Sequence, residues 1–250
     1  MYSTEWVRME SFLAACAQRE YNARASTMSF VGTFERHVHA LPHDTRLFTW
    51  LRDDLAEEAS LTYAEMRQHA IALCVALRQR WHLGDGERVM LVFPPGLDLM
   101  VAFFGCMYAR VISVPFYPPQ VPASPLPSAG ALRLLADGLE KLQRIANGCE
   151  PHIYLSTRWY LRAQQYSAVV ARKPECAWPA MWQWHASDEV ALTCLSAAEK
   201  AWLEQEWLPQ RLAPCETDEV AFLQFTSGST GTPKGVIVST TGLLANILAM

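Results

Sequence analysis

Apolar positions along this chain recur with two periods, and the change from one to the other marks its elements. At Ser60 to Glu65 the Thr62 hydroxyl can cap the Glu65 amide while the Glu65 carboxylate reaches back, a helix start. Met66, Ala70, Leu73, Cys74 and Leu77 then fall at i, i+4, i+7, i+8 and i+11, which predicts an inward-packed surface helix running to Gly84. Arg88 to Phe93 is a short apolar run, and Pro94-Pro95-Gly96 is a turn. Met100, Phe103, Phe104, Met107 and Tyr108 return to helical spacing, and Val111 to Val114 is a second short run. Strand, helix, strand in that order predicts a parallel βαβ unit, hence an α/β fold with helices covering the sheet. After the Pro-rich stretch 115–127, Leu132, Leu135, Leu139, Leu142 and Ala146 predict another helix, and His152 to Ser156 another strand. Residues 171–212 are harder to order; they hold Trp178, Trp182, Trp184, Trp202 and Trp207, read as packing anchors, and an amphipathic helix near Ala197 to Glu206.

Composition narrows the function classes. Of the 250 residues 51% are apolar and 18% charged, enough for a packed interior. A formal charge of −4 argues against nucleic acid as a partner, because such binding draws on clustered cations. The seven cysteines show no C-x-x-C spacing, and an odd number cannot all pair, so a reducing, cytoplasmic setting is expected. Residues 1–29 lack the unbroken apolar core of a secretory signal. The apolar run Leu99 to Ala109 is about half a bilayer span, so no membrane span is expected. His37, His39 and His43 have no nearby cysteine or carboxylate at familiar ligand spacing, and no metal site is assigned to them. Cys74 and Cys106 lie on apolar helical faces and read as small hydrophobes.

The chemistry concentrates near the end. An apolar strand, Val220 to Phe225, runs into Thr226-Ser227-Gly228-Ser229-Thr230-Gly231-Thr232-Pro233-Lys234-Gly235, and Val236-Ile237-Val238 follows as a second strand expected to be buried. Glycines let backbone amides point at an anion, Ser and Thr add hydroxyl donors, and Lys234 adds a full charge. The spacing is not that of the Walker loop, since Pro233 precedes the lysine and Gly235 follows it. A flexible linker would not place a lysine beside a rigid proline between two apolar strands.

The run from Thr226 to Val236 resembles the signature loop of the adenylate-forming superfamily, which includes acyl-CoA synthetases, amino-acid adenylation domains and luciferases. Phe93-Pro94-Pro95-Gly96-Leu97-Asp98, Ala102 to Ala109 and Ser113 to Pro119 look most like the fatty acyl-AMP ligases, and the resemblance extends from about Ser29 to the end. It implies that residues 29–250 are the incomplete N-terminal portion of the large domain, with 1–28 an extension. It further implies ATP and Mg2+ as cofactors, a fatty acid as substrate, and transfer of the acyl group to an acyl carrier protein or a polyketide or nonribosomal peptide synthase. Thr226, Ser227, Gly228, Ser229, Thr230, Gly231 and Lys234 would hold the β- and γ-phosphates. No catalytic residue and no metal ligand are assigned in this stretch. Coenzyme A ligases and amino-acid adenylation domains share the loop and are the nearest alternatives, with a non-catalytic nucleotide-binding remnant as a third.

Three departures bear on these expectations. Ser239-Thr240-Thr241-Gly242 stands where the family often has Ser-His-Gly-Asn. Arg110 stands at a helix end where Gly is usual; a cation there suits the helix dipole. Family members usually run to more than twice this length, so a truncated product with exposed apolar surface is expected.

Overall fold

A computed structural model describes residues 7–8, 29–213, 218–226 and 233–249. Its order is β1 (Val7–Arg8), α1 (Phe30–Ala40), β2 (Arg46–Leu51), β3 (Glu57–Thr62), α2 (Tyr63–Val75), β4 (Arg88–Val92), α3 (Leu97–Ala109), β5 (Ile112–Phe116), α4 (Ala129–Cys149), β6 (Ile153–Ser156), α5 (Arg158–Ala171), β7 (Trp184–Ala186), α6 (Ala197–Trp202), α7 (Leu208–Leu212), β8 (Val220–Thr226), β9 (Lys234–Ser239) and α8 (Thr240–Ala249). Strands β1, β2 and β3 form a small antiparallel sheet. The main sheet has the order β7-β6-β4-β5-β8-β9 and is parallel except for the β8–β9 pair. The chain is thus α/β with helices on a mostly parallel sheet.

Both faces of the central strands are covered, as βαβ connections require. Val89 and Leu91 of β4, with Ile153 and Leu155 of β6, point into one apolar cluster built with α1, α2 and α3. Met90, Val92 and Tyr154 point the other way, into a second cluster with α4 and the Trp182 region. Alternation by two therefore splits one strand between two cores. Helices α2 and α3 approach closely at Gly105, where a Cβ would lie 2.7 Å from Leu73 Cδ2. Phe34 of α1 packs edge-on to Phe104 at 4.9 Å, and Phe48 reaches the same ring at 6.1 Å, tying the small sheet to this core.

The expected Thr62–Glu65 capping box is present: the Glu65 amide donates to Thr62 Oγ1 at 3.1 Å and the Thr62 amide to Glu65 Oε2 at 2.9 Å. This helix departs from its expected form in two ways. Residues 70–77 are all buried rather than showing one apolar stripe, because α1, α3 and Leu192–Cys194 pack around it. It also ends at Arg80 through a π-helical turn, Ala76–Arg80, short of Gly84. The helix expected near 197–206 continues through a π turn, Leu203–Trp207, to Leu212, with Pro209 just after the π turn.

One expectation fails. The Val236-Ile237-Val238 run is not a buried strand: β9 is the edge of the sheet, and Val236 and Ile237 are 52% and 68% exposed. Three consecutive apolar residues read as buried on both faces, but Val236 and Ile237 point to opposite faces and neither face of this edge strand is covered among the described residues.

The Trp expectation holds. Trp182 stacks on Tyr154 at 4.6 Å, Trp184 lies 5.0 Å from the same ring, and Trp202 stacks on Trp207 at 5.4 Å. Cys74 and Cys106 are fully buried; burial pushes the Cys74 thiol up to about 12 and raises that of Cys106 as well. His37 Nδ1 lies 2.9 Å from the Thr33 carbonyl oxygen, and His39 lies 3.5 Å from the Glu35 carboxylate, on a helix of the first core.

Candidate nucleotide-phosphate site

Strand order decides where a ligand crevice can form. From β4 the chain crosses to β5 on one side, then returns past β4 to β6 and β7 on the other. Adjacent strands whose connections lead outward in opposite directions open a crevice at their carboxyl ends, and here that switch lies between β4, which leads to β5, and β6, which leads to β7. The Phe93-Pro94-Pro95-Gly96 turn follows β4 and rims this crevice, while Tyr117-Pro118-Pro119 follows β5 on the same edge of the sheet.

Strand β8 runs parallel to β5, pairing Ser113 with Phe222, so its carboxyl end lies on the same edge of the sheet. Thr226 is the last residue of β8 and is directly opposite Lys234, the first of β9. Both ends of the candidate loop therefore sit at the carboxyl edge of the parallel strands. Of the seven candidate residues, Thr226 and Lys234 are brought together; Ser227, Gly228, Ser229, Thr230 and Gly231 lie outside the described residues. Both described side chains are exposed, and Lys234 has no ion pair among the described residues, so its charge is available to an anion.

Gly235 has a local reason to be glycine. It faces Phe225 across the hairpin, and a Cβ there would lie 3.0 Å from Phe225 Cζ and 3.1 Å from Cε1. The same ring passes Gly148 of α4, so the hairpin end is seated against the second core.

At the other end of the hairpin, Asp218 holds the entry to α8. Thr241 N donates to its Oδ1 at 3.0 Å and Thr240 Oγ1 at 3.3 Å. A hydrogen bond from Ser239, followed by those from the threonines, keeps the Asp218 carboxyl below its usual range. The unusual Ser239-Thr240-Thr241-Gly242 run thus builds a helix start, with Gly242 N donating to Ser239 Oγ at 3.1 Å. Sequence reading did not single out Asp218, although a carboxylate before a strand gives no pattern that would have marked it.

A cavity of about 580 Å³ opens on the same edge, between the small sheet and the turns after β4 and β7. Trp50, Leu61, Pro95 and Val101 give it apolar walls, and His69 and Asp98 give it polar ones. Burial, and then the nearby Asp188, raises the Asp98 carboxyl. Among the described residues no group of three or more His, Cys, Asp or Glu side chains is placed to hold a metal ion.

Comparison with known proteins identifies the family. The medium-chain-fatty-acid (acyl-carrier-protein) ligase JamA of Moorena producens is 28% identical over 200 residues, covering 80% of this chain and 29% of its own length. The long-chain-fatty-acid–AMP ligase FadD26 of Mycobacterium marinum is 30% identical over 210 residues, covering 82% of this chain and 30% of its own length. A solved fatty acyl-adenylate ligase from L. pneumophila, in complex with acyl adenylate and pyrophosphate, superposes with a TM-score of 0.62 at 28% identity, covering 92% of this chain and 33% of its own. The chain therefore spans about three-tenths of the length of these relatives. A family profile described as AMP-binding enzyme matches residues 34–250, and the chain belongs to that family of adenylate-forming ligases.

Proposed function

We propose that residues 29–250 form the front of the large domain of a fatty acyl-AMP ligase, with residues 1–28 as an extension, and that the β8–β9 loop holds the β- and γ-phosphates of ATP. The observation that carries this reading is the pairing of Thr226 with Lys234 at the carboxyl edge of the parallel strands. In the reaction, a fatty acid carboxylate oxygen attacks the α-phosphorus, the bond to the β-phosphate oxygen breaks, and pyrophosphate leaves with the electron pair. An anion must approach a polyanion, so fixed donors and a cation near the leaving group lower the barrier.

The fit to ATP rests on this chain's own groups. Lys234 offers an uncompensated charge, and the loop from Thr226 to Gly231 offers amides and hydroxyls. Mg2+ belongs to the reading as the companion of the triphosphate, where it would neutralise charge on the phosphate oxygens; no step is assigned here to a metal held by side chains of this chain. The acyl group would pass to an acyl carrier protein, as the name of the Moorena relative says of that protein.

The test is pyrophosphate exchange by the full-length protein. Exchange that depends on a fatty acid, without thioester formation when coenzyme A is added, supports the reading. Exchange that depends on an amino acid, or ready acyl-CoA formation, replaces it. Lys234→Ala should lower fatty-acid-dependent exchange by about 100-fold, the usual scale for losing one electrostatic donor.

A further inference from the structure

We propose that the outward face of α5 docks on an anionic lipid bilayer, laying the helix flat in the headgroup region. The inference is independent of the reaction proposed above.

Helix α5 has two unlike faces. Tyr160, Gln164, Ser167 and Ala171, at i, i+4, i+7 and i+11, are buried against the second core. Trp159, Arg162, Tyr166 and Val169, at i, i+3, i+7 and i+10, lie on the opposite side. Three of these are large apolar groups left open to water: Trp159 is 70% exposed, Tyr166 40% and Val169 67%. An isolated exposed apolar residue needs no explanation, but three in one stripe, with an indole and a phenol among them, do.

The charges carried by the helix and its end are of one sign. Arg158, Arg162, Arg172 and Lys173 fall within residues 158–173, and that stretch holds no Asp or Glu, in a chain whose formal charge is −4. Arg158 lies 3.7 Å from Glu189 and its amide donates to Asp188 Oδ1 at 2.7 Å, and Lys173 lies 4.0 Å from Glu175; both side-chain pairs are well exposed. Arg162 and Arg172 have no ion pair among the described residues.

A bilayer surface matches this combination. Trp and Tyr favour the boundary between headgroups and acyl chains, and Lys and Arg favour anionic headgroups. The stripe runs from Trp159 to Val169 on a single helix, about 15 Å at the α-helical rise. A plane can meet all of it at once, whereas a partner helix would need a groove to seat the Trp. No helix among the described residues is long and apolar enough to cross a membrane, so the contact would be peripheral.

Flotation of the chain with phosphatidylcholine vesicles, with and without phosphatidylglycerol, tests this. Recovery with the anionic vesicles alone, lowered by added salt, is expected. Each lost cation should weaken binding about fivefold, so Arg162→Glu, which also adds an anion, should weaken it about 25-fold. Trp159→Ala should weaken it by a similar factor, and Trp159→Phe should remove a vesicle-induced blue shift of tryptophan emission. Near-ultraviolet circular dichroism of each variant checks that these solvent-facing changes leave the fold intact. No flotation of the parent chain, equal recovery with neutral vesicles, or unchanged recovery of a folded Arg162→Glu variant would overturn the proposal. So would binding of this face to an acidic protein with no vesicle binding.

Discussion

Arg211 lies across the carboxyl end of α3 and donates twice to the Met107 carbonyl, from Nε at 3.1 Å and from Nη2 at 2.9 Å. The same guanidinium meets Glu219 at 2.8 Å, and Glu219 also accepts from Arg110, the residue that closes α3 in the left-handed conformation at φ 56°. Arg211 is only 4% exposed, so truncating it strands buried acceptors. Arg211→Ala should cost about 3–5 kcal/mol in denaturant unfolding, and Arg211→Lys less, because one donor can still reach Met107.

Glu35 is a buried carboxylate with three partners. Tyr108 Oη donates to Oε1 at 2.6 Å, Arg67 Nε donates to both oxygens at 2.8 Å, and His39 lies beside it. Tyr108→Phe removes one partner and should cost about 1–2 kcal/mol, since Arg67 still holds the charge. Glu35→Ala leaves the phenol and the guanidinium unpaired and should cost about 3–5 kcal/mol. Equal effects in thermal unfolding would contradict this order.

Glu199 couples stability to pH. The hydrogen bond from Arg80, at 2.7 Å, and then the Ser196 cap hold its carboxyl at about 2, well below its ordinary 4.5. As the folded pKa is the lower one, the unfolded chain takes up the proton first when pH falls. The stabilisation is therefore complete above about pH 4.5 and is lost as pH drops toward about 2. Glu199→Gln should flatten the acid limb of a stability-against-pH curve in that window and leave its slope near neutrality unchanged.

Gly235 should tolerate no branched side chain. Gly235→Val would drive into the Phe225 ring and displace the strand that begins at Lys234. A loss of about 1–3 kcal/mol in stability is expected, with a larger relative loss of fatty-acid-dependent pyrophosphate exchange in the full-length protein, because Lys234 moves with the strand. Gly235→Ala, which needs the ring to give by a few tenths of an ångström, should lie between.

What the sequence disclosed was local. The Thr62–Glu65 box was readable because both partners sit within one turn, and the Ser196–Glu199 box carried the same signal but was passed over in a region crowded with Trp. The parallel β4-α3-β5 unit was readable from the change of period. Glu35 gave no sign of burial, because Arg67 and Tyr108 are 32 and 73 residues away and only the packed core brings them together. Arg211 was equally silent, its Met107 partner being 104 residues distant. The site was legible as a motif, and the structure adds the placement of its two ends; a one-dimensional pattern could not show that β9 would be an edge. The exposed face of α5 escaped notice because its buried face supplies so few apolar residues that no amphipathic signal stands out.

Four of the cysteines, Cys74, Cys106, Cys149 and Cys176, are shut inside the two cores, while Cys194 is exposed. Alkylation in the native state would therefore tag Cys194 promptly and reach Cys74 or Cys106 only when α2 and α3 part. Since Gly105 lets those helices meet so closely, the labelling rate at these two thiols is a stopwatch for separation of α2 from α3, readable by mass spectrometry on the native cysteines.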